Sequence, residues 1–221
     1  GASVGSFMRL SFDRDNYGNA ATQGVVLDLS TGVVANDGFG GQDSITGMDN
    51  IPVEVRATNL ADRLTGSAHD DWFISQGGND TVDGGDGFDF VSFEDASRRV
   101  QVDTANVVNG IGDAAGDNYT SIEGIIGTRF NDNLRGGNED NDIQAGSFSD
   151  RVFGRGGDDT LDGGIGADAL YGNSGADEMT GGAGRDRFIY FNESEARAGD
   201  GNRDVITDFD ADAGERLEIR R

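Results

Sequence analysis

From Gly127 to Ile189 an apolar residue returns every nine positions, at Leu134, Ile143, Val152, Leu161, Leu170, Met179 and Phe188. Two places before each stands an acid or, once, its amide: Asp132, Asn141, Asp150, Asp159, Asp168, Asp177 and Asp186. Cut on this phase, the stretch reads GTRFNDNLR, GGNEDNDIQ, AGSFSDRVF, GRGGDDTLD, GGIGADALY, GNSGADEMT and GGAGRDRFI. A phase held over consecutive pieces, with acid and apolar residue locked together, does not arise from composition alone. It marks a repeat architecture, in which a unit too small to bury its own apolar side chain does so by stacking on its neighbours. Glycines at positions 1, 2 and 4 admit the positive φ of a tight turn. Positions 7 to 9 are predicted to form a short strand with position 8 facing the core.

An earlier array runs from Ala57 to Ser92 as ATNLADRLT, GSAHDDWFI, SQGGNDTVD and GGDGFDFVS. Its sixth positions are Asp62, Asp71, Asp80 and Asp89, and its eighth are Leu64, Phe73, Val82 and Val91. The segments leading into the two arrays correspond. Gly24-Val25-Val26-Leu27-Asp28 matches Arg99-Val100-Gln101-Val102-Asp103, and the segment from Asp43 to Ile51 matches that from Asp117 to Ile125. Alternation at Val25/Leu27 and Val100/Val102 reads as half-buried strands. The expected organisation is a first unit over 1–92, with linking coils 1–56 and nonapeptides 57–92. A second covers 93–189, with linking coils 93–126 and nonapeptides 127–189. A capping segment over 190–221 follows, since a stacked array leaves its last coil open and a more apolar, divergent unit is expected to close it. The single proline, Pro52, lies outside both arrays, as suits a ladder that needs every backbone N–H.

The pieces fit G-G-x-G-x-D-x-U-x, with U apolar, and on that pattern the chain resembles the RTX (repeats-in-toxin, hemolysin-type) calcium-binding repeat family. The stretch Asp204-Val205-Ile206-Thr207-Asp208-Phe209 is similar to the D-x-I-x-D-F segment that closes the C-terminal β-roll of serralysin-type secreted proteins. The resemblance implies an all-β fold, a parallel β-roll: a right-handed solenoid with two nonapeptides per coil, so that pieces 18 residues apart stack. It also implies several Ca2+ ions as cofactors. A hard cation between stacked turns meets two carboxylates and several carbonyls, the six to eight oxygens that calcium prefers, whereas magnesium demands near-ideal octahedral geometry.

In the family each ion takes positions 2, 4 and 6 of one turn and 1, 3 and 6 of the turn two pieces later. Carried over, one ion would use Arg155, Gly157 and Asp159 with Gly172, Ser174 and Asp177. A second would use Gly164, Gly166 and Asp168 with Gly181, Ala183 and Asp186, and a third Gly146, Phe148 and Asp150 with Gly163, Ile165 and Asp168. Gln76, Gly78 and Asp80 form one half-site in the first array, and Gly84, Asp86 and Asp89 another. Gly154, Gly156, Asn173 and Gly175 of the same turns belong to the candidate set, as do Asp62, Asp71 and Asp132 at position 6. Asp204 and Asp208 are candidates for a site at the open end. Glycine is replaced at position 4 by Phe130, Glu139 and Phe148, and the acid by Asn141; those sites are expected to be weaker or empty.

Composition changes this picture in two ways. A chain with 35% hydrophobic residues and a formal charge of -24 would ordinarily be too polar to fold, but a solenoid needs only a narrow continuous core. The acid excess makes cations the natural counterpart and disfavours nucleic acid and anionic membranes. No cysteine is present, so disulfides and thiolate metal sites are excluded, and the lone histidine, His69, excludes a multi-histidine zinc site. No apolar run approaches the roughly 20 residues of a membrane helix. The arrays already employ most of the acids, so no catalytic residue and no enzyme activity are expected. Trp72 falls at position 7, an outward position, as a lone exposed aromatic or a contact point.

The start Gly-Ala-Ser-Val lacks the features of a cleavable signal peptide. Together with the resemblance, this leads to a secreted, extracellular, bacterial module that folds on calcium outside the cell. It would be accessory to type I secretion of a larger protein, with the exporter as partner. A calcium-dependent adhesin or polysaccharide-binding module, with a glycan or cell-surface partner, is the alternative.

Overall fold

The computed structural model describes residues 7–14, 18–46, 51–105, 110–191 and 203–220. Parts of the expected linking coils and residues 192–202 of the expected cap lie outside the described residues. Among the described residues there is no α-helix, only a 3-10 turn at Gly112–Ala114.

The chain divides into two compact units, Gly1–Phe93 with Asn106–Ile122, and Glu94–Ala105 with Glu123–Arg221. In the first, one parallel ladder runs through Met8–Ser11, Val53–Arg56, Trp72–Ile74 and Phe90–Ser92. The other runs through Val25–Asp28, Arg63–Thr65, Thr81–Asp83 and Asn118–Thr120. The second unit repeats the plan. One ladder orders Gly124–Ile126, Asp142–Gln144, Thr160–Asp162, Glu178–Thr180 and Val205–Ile206. The other orders Gln101–Asp103, Asn133–Arg135, Arg151–Gly156, Ala169–Ser174, Arg187–Tyr190 and Arg216–Ile219.

Register follows from the repeat. Within the arrays paired residues lie 18 apart, so the position-8 side chains form straight columns. Leu27, Leu64, Val82 and Tyr119 make one; Val102, Leu134, Val152, Leu170 and Phe188 make another. All of these are buried. The expected linking strands thus occupy the ladders as ordinary rungs. The segment from Val205 to Ile219 closes the second unit by adding one strand to each of its ladders.

Two features depart from simple repetition. An antiparallel hairpin, Val33–Asp37 with Asp43–Ser44, extends the first unit's ladder beside Val25–Asp28. Short polar side chains build its turns: Asp28 Oδ1 accepts from the Ser30 hydroxyl and the Thr31 N–H, and Asp37 Oδ1 from the N–H groups of Phe39 and Gly41, a local alternative to ladder bonding. In the second unit the outer strand face also packs. Ala169, Tyr171 and Ile189 are buried with Phe153 against them, and Phe153 and Tyr171 stack at 4.3 Å.

Where position 4 is glycine, the stacked turns leave no room for a side chain. A Cβ on Gly175, whose φ is +143°, would lie 1.8 Å from the Gly157 carbonyl oxygen. Gly77 has nothing closer than 3.8 Å. Left-handed strain of roughly 1–2 kcal/mol and overpacking of about 1–3 kcal/mol act together at the first. Gly175→Ala is expected to lose roughly 3 kcal/mol in urea denaturation with calcium present, against less than about 1 kcal/mol for Gly77→Ala.

Candidate metal centre

Position 6 is buried in both arrays, and wherever another position-6 residue lies one coil earlier, one carboxylate oxygen has the same task. Oδ1 accepts the backbone N–H of the position-6 residue one coil earlier. In the second unit Asp150 accepts from Asp132, Asp159 from Asn141, Asp168 from Asp150, Asp177 from Asp159 and Asp186 from Asp168, at 2.6 to 3.0 Å. Asp80 and Asp89 accept from Asp62 and Asp71 in the first. Asp204 accepts from Asp177 and Asp117 from Asp80, although they stand 27 and 37 residues on. Both therefore fill position-6 places. The bond explains the glycine at position 1: a Cβ on Gly154 would meet Asp159 Oδ2 at 2.0 Å, and one on Gly172 would meet Asp177 Oδ2 at 2.1 Å.

The second oxygen separates two kinds of turn. In closed turns it accepts the position-2 N–H of its own turn: Asp62 from Thr58 at 2.9 Å, and Asp71 from Ser67 and Asp132 from Thr128 at 2.7 Å. The Thr58 and Thr128 hydroxyls also donate to these carboxylates. Asn141 accepts from Gly137 through Oδ1 and donates through Nδ2 to the Glu123 carbonyl. In open turns position 2 is left-handed, with φ between +63° and +99° at Gln76, Gly85, Gly146, Arg155, Gly164, Asn173 and Gly182. The position-2 N–H of Gly164 then meets Asp162, and that of Gly182 meets Asp208. Oδ2 of Asp80, Asp150, Asp159, Asp168, Asp177 and Asp186 is left buried with no hydrogen-bond partner. Gln76, Arg155 and Asn173 hold this conformation at roughly 1–2 kcal/mol each, local strain of the kind that gathers at functional sites.

Thr128→Val tests the closed turn. It removes the bonds to Asp132 and from the Phe130 N–H to the hydroxyl while keeping the shape. A loss of about 2 kcal/mol in denaturant unfolding is expected, with the number of bound calcium ions unchanged by native mass spectrometry.

Electrostatics sharpen the contrast. Burial pushes Asp80, Asp150 and Asp159 up to about 8, Asp168 to about 7 and Asp177 to about 6. Neighbouring carboxylates add to the rise, Asp117 on Asp80, Asp168 on Asp150 and Asp177 on Asp159 among them. A buried anion without a donor needs a proton or a cation. Among the described residues no three acidic, histidine or cysteine side chains cluster for a metal. The available donor set is thus two aspartates with turn carbonyls, hard oxygens that suit calcium.

Stacking brings together the turns that the sequence pairs. Arg155 aligns with Asn173 and Gly156 with Ser174, Ile165 with Ala183 and Gly166 with Gly184, and Ser147 with Ile165. The turn of Gly84, Asp86 and Asp89 meets that of Ser67 through the Asp86 N–H. Opposite Gln76, Gly78 and Asp80 stands Asp117, absent from the sequence-derived set, whose Oδ2 accepts from the Tyr119 hydroxyl at 2.7 Å. The signal was present: Asp117-Asn118-Tyr119-Thr120 is itself D-x-U-x. Asp208 lies at the last turn, where it accepts the N–H groups of Gly181 and Gly182. Trp72 is half-buried and stacks on Phe90 at 5.1 Å, one rung of an aromatic pair rather than a lone ring.

A family model of the RTX calcium-binding nonapeptide repeat matches the chain in four copies, over residues 56–91, 125–152, 135–170 and 153–188. A search of curated proteins finds no match. No helix among the described residues is long and apolar enough to cross a membrane. The matched spans are the two nonapeptide arrays, and they contain every closed and open turn described above. The arrays therefore belong to the RTX calcium-binding nonapeptide repeats, and the chain carries a calcium-binding parallel β-roll.

Proposed function

We propose that the chain is a module that folds on calcium outside the cell, without catalysis of its own, and serves the type I secretion of a larger extracellular bacterial protein. The observation that carries this reading is the row of buried, partnerless Oδ2 atoms from Asp150 to Asp186. At neutral pH those carboxylates oppose folding unless a cation joins them. Ions are assigned between open turns: 145–150 with 163–168, 163–168 with 181–186, and 154–159 with 172–177, with Asp204 extending the last stack. Asp80 with Asp117 gives a further position in the first unit. The closed turns of Asp62, Asp71, Asp132 and Asn141 are assigned a structural role.

Calcium bound only by the folded chain stabilises it by RT ln(1 + [Ca]/Kd) per site, so several weak sites add up. Extracellular calcium modules bind at about 10⁻⁴ to 10⁻³ M, well matched to a chain that must stay unfolded until it leaves the cell. The exporter and the larger protein follow from likeness to RTX proteins.

Far-UV circular dichroism during a calcium titration of chelated protein tests the switch. A cooperative gain of β signal with calcium but not magnesium, with a midpoint near or above about 10⁻⁴ M, is the expected result. A full β spectrum in chelator at pH 8 would overturn it.

One observation favours a binding role beside this one. The first unit holds a cleft of about 840 Å³ lined by Ser30, Thr31, Thr65, Ser67, His69 and Asp86 among others, within the size range of small-molecule sites. Its hydroxyls suit a sugar. A glycan array probed with calcium-loaded protein, with His69→Ala as comparison, tests that reading.

A further inference from the structure

Arg155 stands at position 2 of an open turn, where the repeat prefers glycine, and its backbone is left-handed at φ +85°. Its carbonyl belongs to the turn that stacks on 172–177, but its side chain runs the other way. Nη1 and Nη2 donate to the two carboxylate oxygens of Asp103 at 2.8 and 2.7 Å, and Nη1 also donates to the Gly136 carbonyl at 2.7 Å. Asp103 is almost wholly buried, its side chain 3% exposed. Asp103 aligns with Arg135, and Arg135 with Phe153, on successive strands of one ladder. The guanidinium therefore reaches across the first three coils of the second unit.

The surroundings fit a cation supplied by the protein. Carboxylate and carbonyl oxygens converge on it, as they would on a metal, and the forked pairing is the strong form of such contacts. The turn one coil earlier has lost its acid: Asn141 replaces aspartate and is closed through Gly137. The first unit shows the same device in neutral form. Gln76, also at position 2 with φ +63°, donates through Nε2 to the Ala57 carbonyl at 2.8 Å, spanning 19 residues as Arg155 does to Gly136. In both cases the donor reaches back from the first open turn of its stack to a closed one. Gly164 and Gly182 carry no side chain that could do so, and Asn173 bonds the Tyr171 carbonyl of its own chain segment.

We infer that Arg155 is a built-in cation that closes the first coils of the second unit without calcium, and so sets the point in the array beyond which calcium is required. The inference rests on the calcium-folding reading above. Calcium then titrates the turns from 145 onward, and the coils behind Arg155 stay paired as the edge on which the rest assembles.

Hydrogen exchange of the whole chain, with and without calcium, tests it together with ion counting by native mass spectrometry. In chelator, amides of Gln101–Asp103 and Asn133–Arg135 should stay protected while those of 163–188 exchange freely. Arg155→Gly suits the left-handed backbone, so its effect reports the side chain; it should speed exchange at the protected amides at least tenfold in chelator. Asn141→Asp with Arg155→Gly restores the acid and removes the competing cation, and should bind one more calcium ion than the parent. Arg155→Gln keeps a donor for Gly136 and should fall between. Unprotected amides at Gln101–Asp103 and Asn133–Arg135 in the chelated parent, an Arg155→Gln protein indistinguishable from the parent, or an unchanged ion count in the double variant would overturn the inference. Failure of the calcium-folding reading looks different: 163–188 would be protected in chelator whatever stands at 155.

Discussion

Asp168→Asn is expected to remove two calcium ions at once. Asp168 is the one position-6 acid in the first stack with an open turn on either side, 145–150 before it and 181–186 after. Its Oδ1 accepts the Asp150 N–H, and its own N–H goes to Asp186. Asparagine preserves size and can keep Oδ1 as acceptor, so the ladder survives and the charge alone is lost. Removing one member of a buried, compensated charge cluster costs about 3–5 kcal/mol, and each 1.4 kcal/mol is about a factor of ten in affinity. The calcium midpoint of folding should rise roughly 100-fold or more, with two ions fewer in native mass spectra. Asp132→Asn is the matched comparison. Asp132 is as deeply buried but has both oxygens bonded, to Val100, Thr128 and the Thr128 hydroxyl. It should lose stability without losing an ion, and Asn141 already shows that the amide fits a closed turn. Equal ion loss in the two variants would refute the division into open and closed turns.

That division marks the limit of what the sequence made legible. The nine-residue phase placed every position-8 side chain in the core, from Leu64 to Phe188, because an apolar residue at fixed spacing can be buried by stacking whatever its turn does. The ligand set depends on a finer variable, the φ of position 2. A threonine hydroxyl there, at Thr58 and Thr128, bonds the acid four residues on, a local cap readable in principle as T-x-x-x-D, while Ser67 reaches Asp71 through its backbone N–H. Glycine at position 4 is the more conspicuous signal in the sequence. Phe148 shows why that falls short: it has lost the glycine, yet its φ is +74° and Asp150 Oδ2 is as bare as in the glycine-bearing turns. Asp117 was missed because 37 residues separate it from Asp80, and counting by nines cannot cross an insertion. The hairpin from Val33 to Ser44 was missed for the opposite reason. It is local, built by Asp28 and Asp37 on their own turns, and has no period to find. Tyr171 and Ile189 occupy position 9, where alternation alone predicts an outward side chain; packing with Phe153 buries them.

Acid should partly replace calcium. Aspartate in an unfolded chain titrates near about 3.9, whereas burial raises Asp80, Asp150 and Asp159 to about 8, Asp168 to about 7 and Asp177 to about 6 in the calcium-free fold. Between about pH 4 and pH 8 the folded chain therefore binds more protons than the unfolded one, and its stability rises as the pH falls. That contribution is fully present below about pH 4 and is lost as the pH climbs through 6, 7 and 8. Chelated protein should accordingly gain β signal in circular dichroism on acidification from about pH 8 to about pH 5. Calcium and protons compete for the same oxygens, so calcium that binds the acid-folded fraction of the chain near neutral pH must expel protons. The calcium midpoint should fall steadily as the pH rises to about 8 and level off above it, and a pH-stat should record proton release at about pH 6 to 7 that vanishes near pH 9. Chelated protein whose β content instead grows with pH would mean that these carboxylates are paired by something other than a metal. The row of bare Oδ2 atoms would then no longer support a calcium switch, even with the repeat intact.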